Sequence, residues 1–184
     1  MIEFHKKWIT NSCLIIKENC QKINMLDQEI GDGDHGTTIL RGLEEAVSHF
    51  RANNEFDNSI SFMNEISKLM RISMGGASGI LMTIFFKELG NLNFNDLYNT
   101  ILTTFSNTIN KIETRGKVNF GDKSFLDIYV PIHQELIQNN LIDFDKIITK
   151  IDESLEYTKS LEARVGRAKF LDSKGVGVID PGAY

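Results

Sequence analysis

Apolar residues recur along this chain at three- and four-residue spacing, and no segment sustains a period of two. That pattern predicts helices throughout. A first helix is expected over Glu3–Lys22, with Phe4, Trp8, Cys13 and Ile16 facing inward, before a polar glycine-rich loop that runs to Gly36. A second helix follows over Thr37–Arg51, and a third, capped by Asp57, ends near Met74. Gly75-Gly76-Ala77-Ser78-Gly79 breaks the pattern, and Ser78 is suited to cap a short apolar fourth helix that Gly90 ends. Asn95 caps a fifth helix reaching Arg115, and Gly116 and Gly121 bracket the next loop. A sixth helix covers Ser124–Gln138, where Pro131 predicts a kink or a local boundary. A seventh spans Phe144–Leu171, followed by a glycine-rich tail that ends Asp180-Pro181-Gly182-Ala183-Tyr184.

These elements predict an all-α fold of antiparallel neighbours, forming one domain over residues 1–184 with no repeat or linker. If the helices alternate up and down, Leu26–Gly36, Gly75–Gly79 and Gly116–Lys123 fall at one end of the bundle. That is a topological hint of a composite site.

Composition narrows the class. With 41% apolar and 24% charged residues, the chain is ordinary for a soluble globular protein. A net charge of -5 argues against direct nucleic-acid binding, which needs a basic face. Met1-Ile2-Glu3-Phe4-His5 matches neither a signal nor a transit peptide, and the apolar run Ile80–Phe86 is far too short for a membrane span. A cytoplasmic protein is therefore expected. Cys13 and Cys20 would lie ~10 Å apart on one helix, beyond disulfide reach, and are expected as reduced core thiols. No Cys-x-x-Cys zinc pattern occurs.

The loop Leu26-Asp27-Gln28-Glu29-Ile30-Gly31-Asp32-Gly33-Asp34-His35-Gly36 carries the most chemistry. Gly31, Gly33 and Gly36 match G-x-G-x-x-G, but no strand precedes them, and two carboxylates within the loop would repel a bare pyrophosphate. An EF-hand counted from Asp32 would require glycine where Thr37 stands and glutamate where Leu43 stands. What remains is a set of hard oxygen ligands on flexible backbone. Asp32 and Asp34 flank one glycine, and a bend would bring in Asp27. Carboxylates combined with phosphate oxygens are the usual setting for Mg²⁺, and the ion makes an acidic loop compatible with an anion. The helix beginning at Thr37 offers amides to phosphate. The bland alternative is a set of turn and cap residues. His35 is open between a phosphate contact, a solvated histidine and a phosphoryl carrier.

Three other segments admit both a functional and a plain structural reading. Gly76-Ala77-Ser78-Gly79 either approaches phosphate or makes a tight helix turn, and without a following lysine it is no P-loop. Arg115-Gly116-Lys117 and Gly121-Asp122-Lys123-Ser124 either balance phosphate charge or form a solvated loop. Phe125 belongs to the core or packs on a base. Arg164, Arg167 and Lys169 lie at the expected C-terminus of the seventh helix, where cations are favoured anyway.

Together, LDQEIGDGDHG, Arg41-Gly42, GGASG, RGKVNFGDKSFLDIYVP and EARVGRAKFLDSKGVGVIDPGA resemble the ADP-binding L subunits of bacterial dihydroxyacetone kinases, in the same order from Leu26 to Ala183. The resemblance implies an antiparallel up-and-down barrel of eight helices with nucleotide at one end. It implies that ADP is retained as a coenzyme. A phosphohistidine carrier of the phosphoenolpyruvate-dependent phosphotransferase system rephosphorylates it in place, and the γ-phosphate passes to dihydroxyacetone on a separate K subunit. By position, Asp27, Asp32 and Asp34 would bind two Mg²⁺ ions, and His35, Gly36, Thr37 and Thr38 would line the phosphate path. Ala77 and Ser78 would contact phosphate, and Gly116 and Phe125 would flank the adenine or ribose. Arg167 would touch the nucleotide, with Asp180, Pro181 and Gly182 closing over it.

Two departures stand out. Thr38 replaces a frequent asparagine, and the chain stops at Tyr184, so the eighth helix is expected to be missing or trimmed. In-line phosphoryl transfer with Mg²⁺ as the main electrostatic agent needs no protein nucleophile. Two other functions compete: an ATP-dependent kinase subunit, and a nucleotide-loaded co-regulator of a transcription factor.

Overall fold

The computed structural model describes every residue except Asn54, and for Ala77 and Ser78 it describes only the backbone. Among the described residues there are seven α-helices and no strand, in keeping with the all-α expectation. They are α1 (Ile2–Ile30), α2 (His35–Ala52), α3 (Ser59–Met74), α4 (Gly76–Leu89), α5 (Leu97–Gly116), α6 (Leu126–Asn139) and α7 (Phe144–Thr158). No helix of the described residues is long and apolar enough to cross a membrane.

The chain divides into two compact units, Met1–Lys22 with Gly36–Thr104, and Ile23–His35 with Phe105–Tyr184. In the first, Ile9, Leu43, Phe62, Met63, Ile66 and Met70 are almost wholly excluded from water. α3 packs on α4. Trp8 tilts against Phe86, with ring centroids 5.2 Å apart. Gly42 lets α2 approach the end of α3, since a Cβ there would lie 2.6 Å from Met74 Cγ. Beside it, Arg41 Nε and Nη2 donate to the carbonyls of Ser73 (2.8 Å) and Met74 (3.2 Å). This arginine therefore closes the C-terminus of α3, where last-turn carbonyls lack helical partners.

In the second unit α6 packs against α7, and Ile112, Leu126 and Leu136 are fully buried. A smaller cluster joins Ile30, Ala163 and Ala168, with Val178 packed on it.

Several boundaries differ from the sequence expectation. α1 continues past Lys22 to Ile30, because Ile23, Asp27 and Ile30 continue its buried face and nothing breaks the helix before Gly31. Phe4 is 41% exposed and packs edge-on to Phe94 instead of entering the core. The cap of α3 is Asn58 rather than Asp57: its side chain accepts from Ser61 N, and Ser61 Oγ accepts from Asn58 N. Gly75 rather than Ser78 precedes α4. Asn93 rather than Asn95 caps the 3-10 turn (Phe94–Asp96) that leads into α5. α6 runs through Pro131 without ending there.

The largest difference is α7, which stops at Thr158 instead of Leu171. Beyond it the chain makes an excursion and returns. Gly177 N donates to Lys159 O (2.7 Å) and Ala163 N to Lys174 O (2.8 Å). Gly166, Gly175 and Gly177 take positive φ within this stretch, which a continued helix forbids. Arg164, Arg167 and Lys169 thus lie on the excursion and not on a helix end.

Candidate functional site

Asp27 occupies the last turn of α1, on the face that carries Ile23 and Ile30, and its residue is buried. After Gly31 the chain turns back. Asp27 Oδ2 accepts the amides of Asp34 (3.0 Å) and His35 (3.2 Å). Gly31 is required by space, because a Cβ there would collide with Asp27 Oδ1. Gly33, at φ 77°, is required by conformation. The turn brings ligand oxygens of Asp27, Asp32 and Asp34 within 4.8 Å of one another. The helix end therefore supplies the reversal for which the sequence suggested a bend.

His35 opens α2. Its Nε2 is buried and has no hydrogen-bond partner among the described residues. Burial holds the imidazole pKa below its usual value, against the pull of Asp27, Asp34 and Asp32. A Cβ on Gly182 would sit 3.6 Å from that Nε2 and 3.8 Å from Phe125 Cδ1, so the tail turn, His35 and Phe125 meet. Phe125 is half-buried, precedes α6 and tilts against Tyr129 at 5.5 Å. Arg167 reaches back to the acidic loop, with Nη2 2.7 Å from Asp32 Oδ2.

Asp180 N donates to Thr158 Oγ1 (3.1 Å), and Asp180 O accepts from Ala183 and Tyr184. Burial pushes the Asp180 carboxyl up to about 7 despite the opposing charge of Lys123. Pro181 is buried.

The remaining expected residues lie as follows. Gly116 ends α5 and is half-buried. Gly36 is buried in the first turn of α2. Thr38 is half-buried there, and Thr37 Oγ1 lies 3.8 Å from Cys20 Sγ. The side chains of Ala77 and Ser78 fall outside the described residues.

Lys123 corrects an expectation. It is not a solvated cation available to phosphate but is 3% exposed, and Nζ donates to Thr158 O and Val178 O, each at 2.6 Å. Asp127 was not singled out by sequence. Fully buried, it accepts Gly121 N (2.5 Å) and Ser124 N (2.7 Å), which fixes the loop before α6. The signal for it was the position: an acid in the first turn of a helix that follows a glycine loop.

The donor set suits a hard divalent cation, as three carboxylates on a tight turn supply only oxygen. The start of α2 and the Arg167 guanidinium, beside that set, supply the complementary features for an anion.

A family model described as the DAK2 domain matches residues 29–184. A PEP-dependent dihydroxyacetone kinase ADP-binding subunit of Listeria innocua is 32% identical, across 97% of this chain and 88% of its own length. The corresponding subunit of Escherichia coli K12 is 30% identical, across 96% and 88%. The solved dihydroxyacetone kinase of C. freundii, in complex with AMP-PNP and Mg²⁺, superposes with a TM-score of 0.72 at 22% identity. That match covers 98% of this chain and 31% of the kinase, and it shows a shared fold.

Proposed function

The chain belongs to the DAK2-domain family, and from that premise we propose that it is the ADP-binding subunit of a dihydroxyacetone kinase. The observation that carries the reading is the convergence of Asp27, Asp32 and Asp34 at the start of α2. These three residues are the proposed Mg²⁺ ligands. Mg²⁺ held there would neutralise phosphate charge and orient the phosphoryl group.

The chain's own residues do the rest by binding and positioning. The first turn of α2, from His35 through Gly36 and Thr37 to Thr38, holds the phosphates through its amides. Arg167 adds a cation from the excursion. Phe125 and Gly116 flank the base or ribose, and Asp180, Pro181 and Gly182 cover it. Ala77 and Ser78 are assigned phosphate contacts on sequence resemblance alone. His35, whose pKa burial lowers, is assigned to the phosphate path as a hydrogen-bonding group, because its buried Nε2 has no partner among the described residues. The phosphoryl donor is proposed to be a phosphohistidine carrier of the phosphotransferase system, and the acceptor dihydroxyacetone held by a K subunit.

The test is direct. Native protein is desalted and its mass measured under non-denaturing conditions, and bound ADP with Mg²⁺ is expected. Asp32→Ala should lose both while keeping its helical circular dichroism. Turnover of dihydroxyacetone, with the K subunit supplied, should require the phosphorylated carrier. Rapid turnover on ATP alone would overturn the donor assignment but not the nucleotide site.

A further inference from the structure

Lys123 is a buried cation placed where two distant segments meet. Its Nζ donates to Thr158 O at the end of α7 and to Val178 O at the end of the excursion. Those carbonyls lie one residue outside the backbone bond from Gly177 N to Lys159 O. The ammonium therefore spans the neck of the loop. Its backbone is itself set in the left-handed region, at φ 63°, between the Gly121 turn and α6. The stem is packed too: a Cβ on Gly175 would lie 3.1 Å from Lys123 Cε, and the φ of 73° there favours glycine, so the excursion closes tightly on the lysine.

Charge-assisted bonds to two carbonyls in a buried place are strong links, and removing their donor leaves both carbonyls without it. Burial lowers the ammonium pKa, and Asp180 and Asp127 pull it back. The two limbs joined here carry Arg167, which reaches Asp32, and the Asp180–Gly182 turn, which meets His35. The ion pair within the excursion, Lys174 with Glu162, is exposed and holds the loop only weakly.

We propose that Lys123 is the positioning residue that clips the Lys159–Gly177 excursion shut and so holds Arg167 and the Asp180–Gly182 turn against the nucleotide site. The assignment rests on the nucleotide-binding reading above. Lys123 need not touch the ligand; it acts through the segments that do.

Lys123→Met keeps the stem and removes the ammonium. In this variant ADP should dissociate about tenfold faster. Mn²⁺ affinity of the nucleotide-free protein should not fall, since Asp27, Asp32 and Asp34 sit on the α1–α2 turn, and should rise by up to about fivefold as Arg167 leaves Asp32. Tryptic cleavage between Lys159 and Gly177 should accelerate at the same time. A merely structural lysine would lower the melting temperature yet leave ADP release from the folded protein unchanged, and that result would overturn the proposal. Equal losses of Mn²⁺ and ADP affinity would overturn it as well.

Gly175→Ala covers the case in which Lys123→Met does not fold. It sets a methyl group 3.1 Å from Lys123 Cε, on backbone at φ 73°, and so loosens the closure with the lysine still present; ADP release should accelerate about threefold. An unchanged rate from the folded variant would count against the clip. If the unsubstituted protein held no ADP, the functional reading would fall, while the cleavage rates would still decide whether Lys123 closes the excursion.

Discussion

The Arg167 guanidinium lies 2.7 Å from the Asp32 carboxylate, joining the excursion after α7 to the turn between α1 and α2. Both side chains are open to water, so the pair adds at most about 1 kcal/mol of stability. Its larger effect is on charge. A guanidinium beside the acidic cluster opposes a second cation and favours an anion. Arg167→Ala should therefore tighten Mn²⁺ binding to the nucleotide-free protein by about two- to fivefold while weakening ADP by about tenfold. Titration of each ligand separately checks the sign. Parallel weakening of both would contradict the arrangement.

Gly31 tests the geometry of Asp27. Its φ is not unusual, so the objection to a side chain is space: an added Cβ would collide with Asp27 Oδ1. Gly31→Ala should displace that carboxylate and cost about 1–3 kcal/mol in strain. Mn²⁺ affinity should fall at least about tenfold with helix content unchanged. Calorimetry with circular dichroism separates the two, and retained metal affinity would show that the turn relaxes around the methyl group.

His5 lies far along the chain from the acidic loop and is wholly buried, with neither ring nitrogen hydrogen-bonded among the described residues. Phe4 and Phe62 pack around it. Burial, with the nearby N-terminal ammonium, lowers its pKa from 6.5 to about 4. The unfolded chain then binds a proton that the folded one refuses, so stability is lost as pH falls from about 6.5 toward 4. His5→Leu, of similar volume, should gain about 1–3 kcal/mol at pH 7, because two unpaired polar atoms are removed. The gain should be larger at pH 5. Urea unfolding at both values decides it; a gain that shrinks in acid would be the wrong sign.

The parts of this site that depend on local chain geometry were legible in the sequence. Asp32, Gly33 and Asp34 announce a tight turn lined with carboxylates because the glycine spacing and the acids coincide, and the periodicity located the seven helices of the described residues. Two kinds of feature were not legible. Asp27 looked detached because α1 was ended at Lys22, whereas Ile23 and Ile30 continue its buried face around the acid. Lys123 looked like a surface cation because local sequence carries no sign of Thr158 and Val178, which meet only after the excursion folds back. The overlong α7 has the same origin. Helical residues such as Leu161, Ala163 and Ala168 follow Thr158 in sequence, and the backbone bonds of the excursion override their propensity.

Asp180 gives the opposite pH signature to His5. It is held at the tail turn by Thr158 Oγ1 and lies near Lys123 and Asp127. Burial outweighs the lysine and raises its carboxyl from 3.8 to about 7. Between those values the folded protein holds a proton that the unfolded chain has released. Stability from this group is therefore complete below about 3.8 and is lost as pH rises toward 7. Asp180→Asn mimics the protonated form and keeps the shape. Measured without metal or nucleotide, its melting temperature should exceed that of the unsubstituted protein by a few degrees at pH 7.5 and match it at pH 4. The same substitution should weaken Lys123's electrostatic environment, since Asp180 is the first of the carboxylates that favour its ammonium. Loss of ADP retention alongside higher thermal stability would then separate the two duties of the turn. Equal melting temperatures at pH 7.5 would mean that Lys123 compensates the buried carboxylate fully.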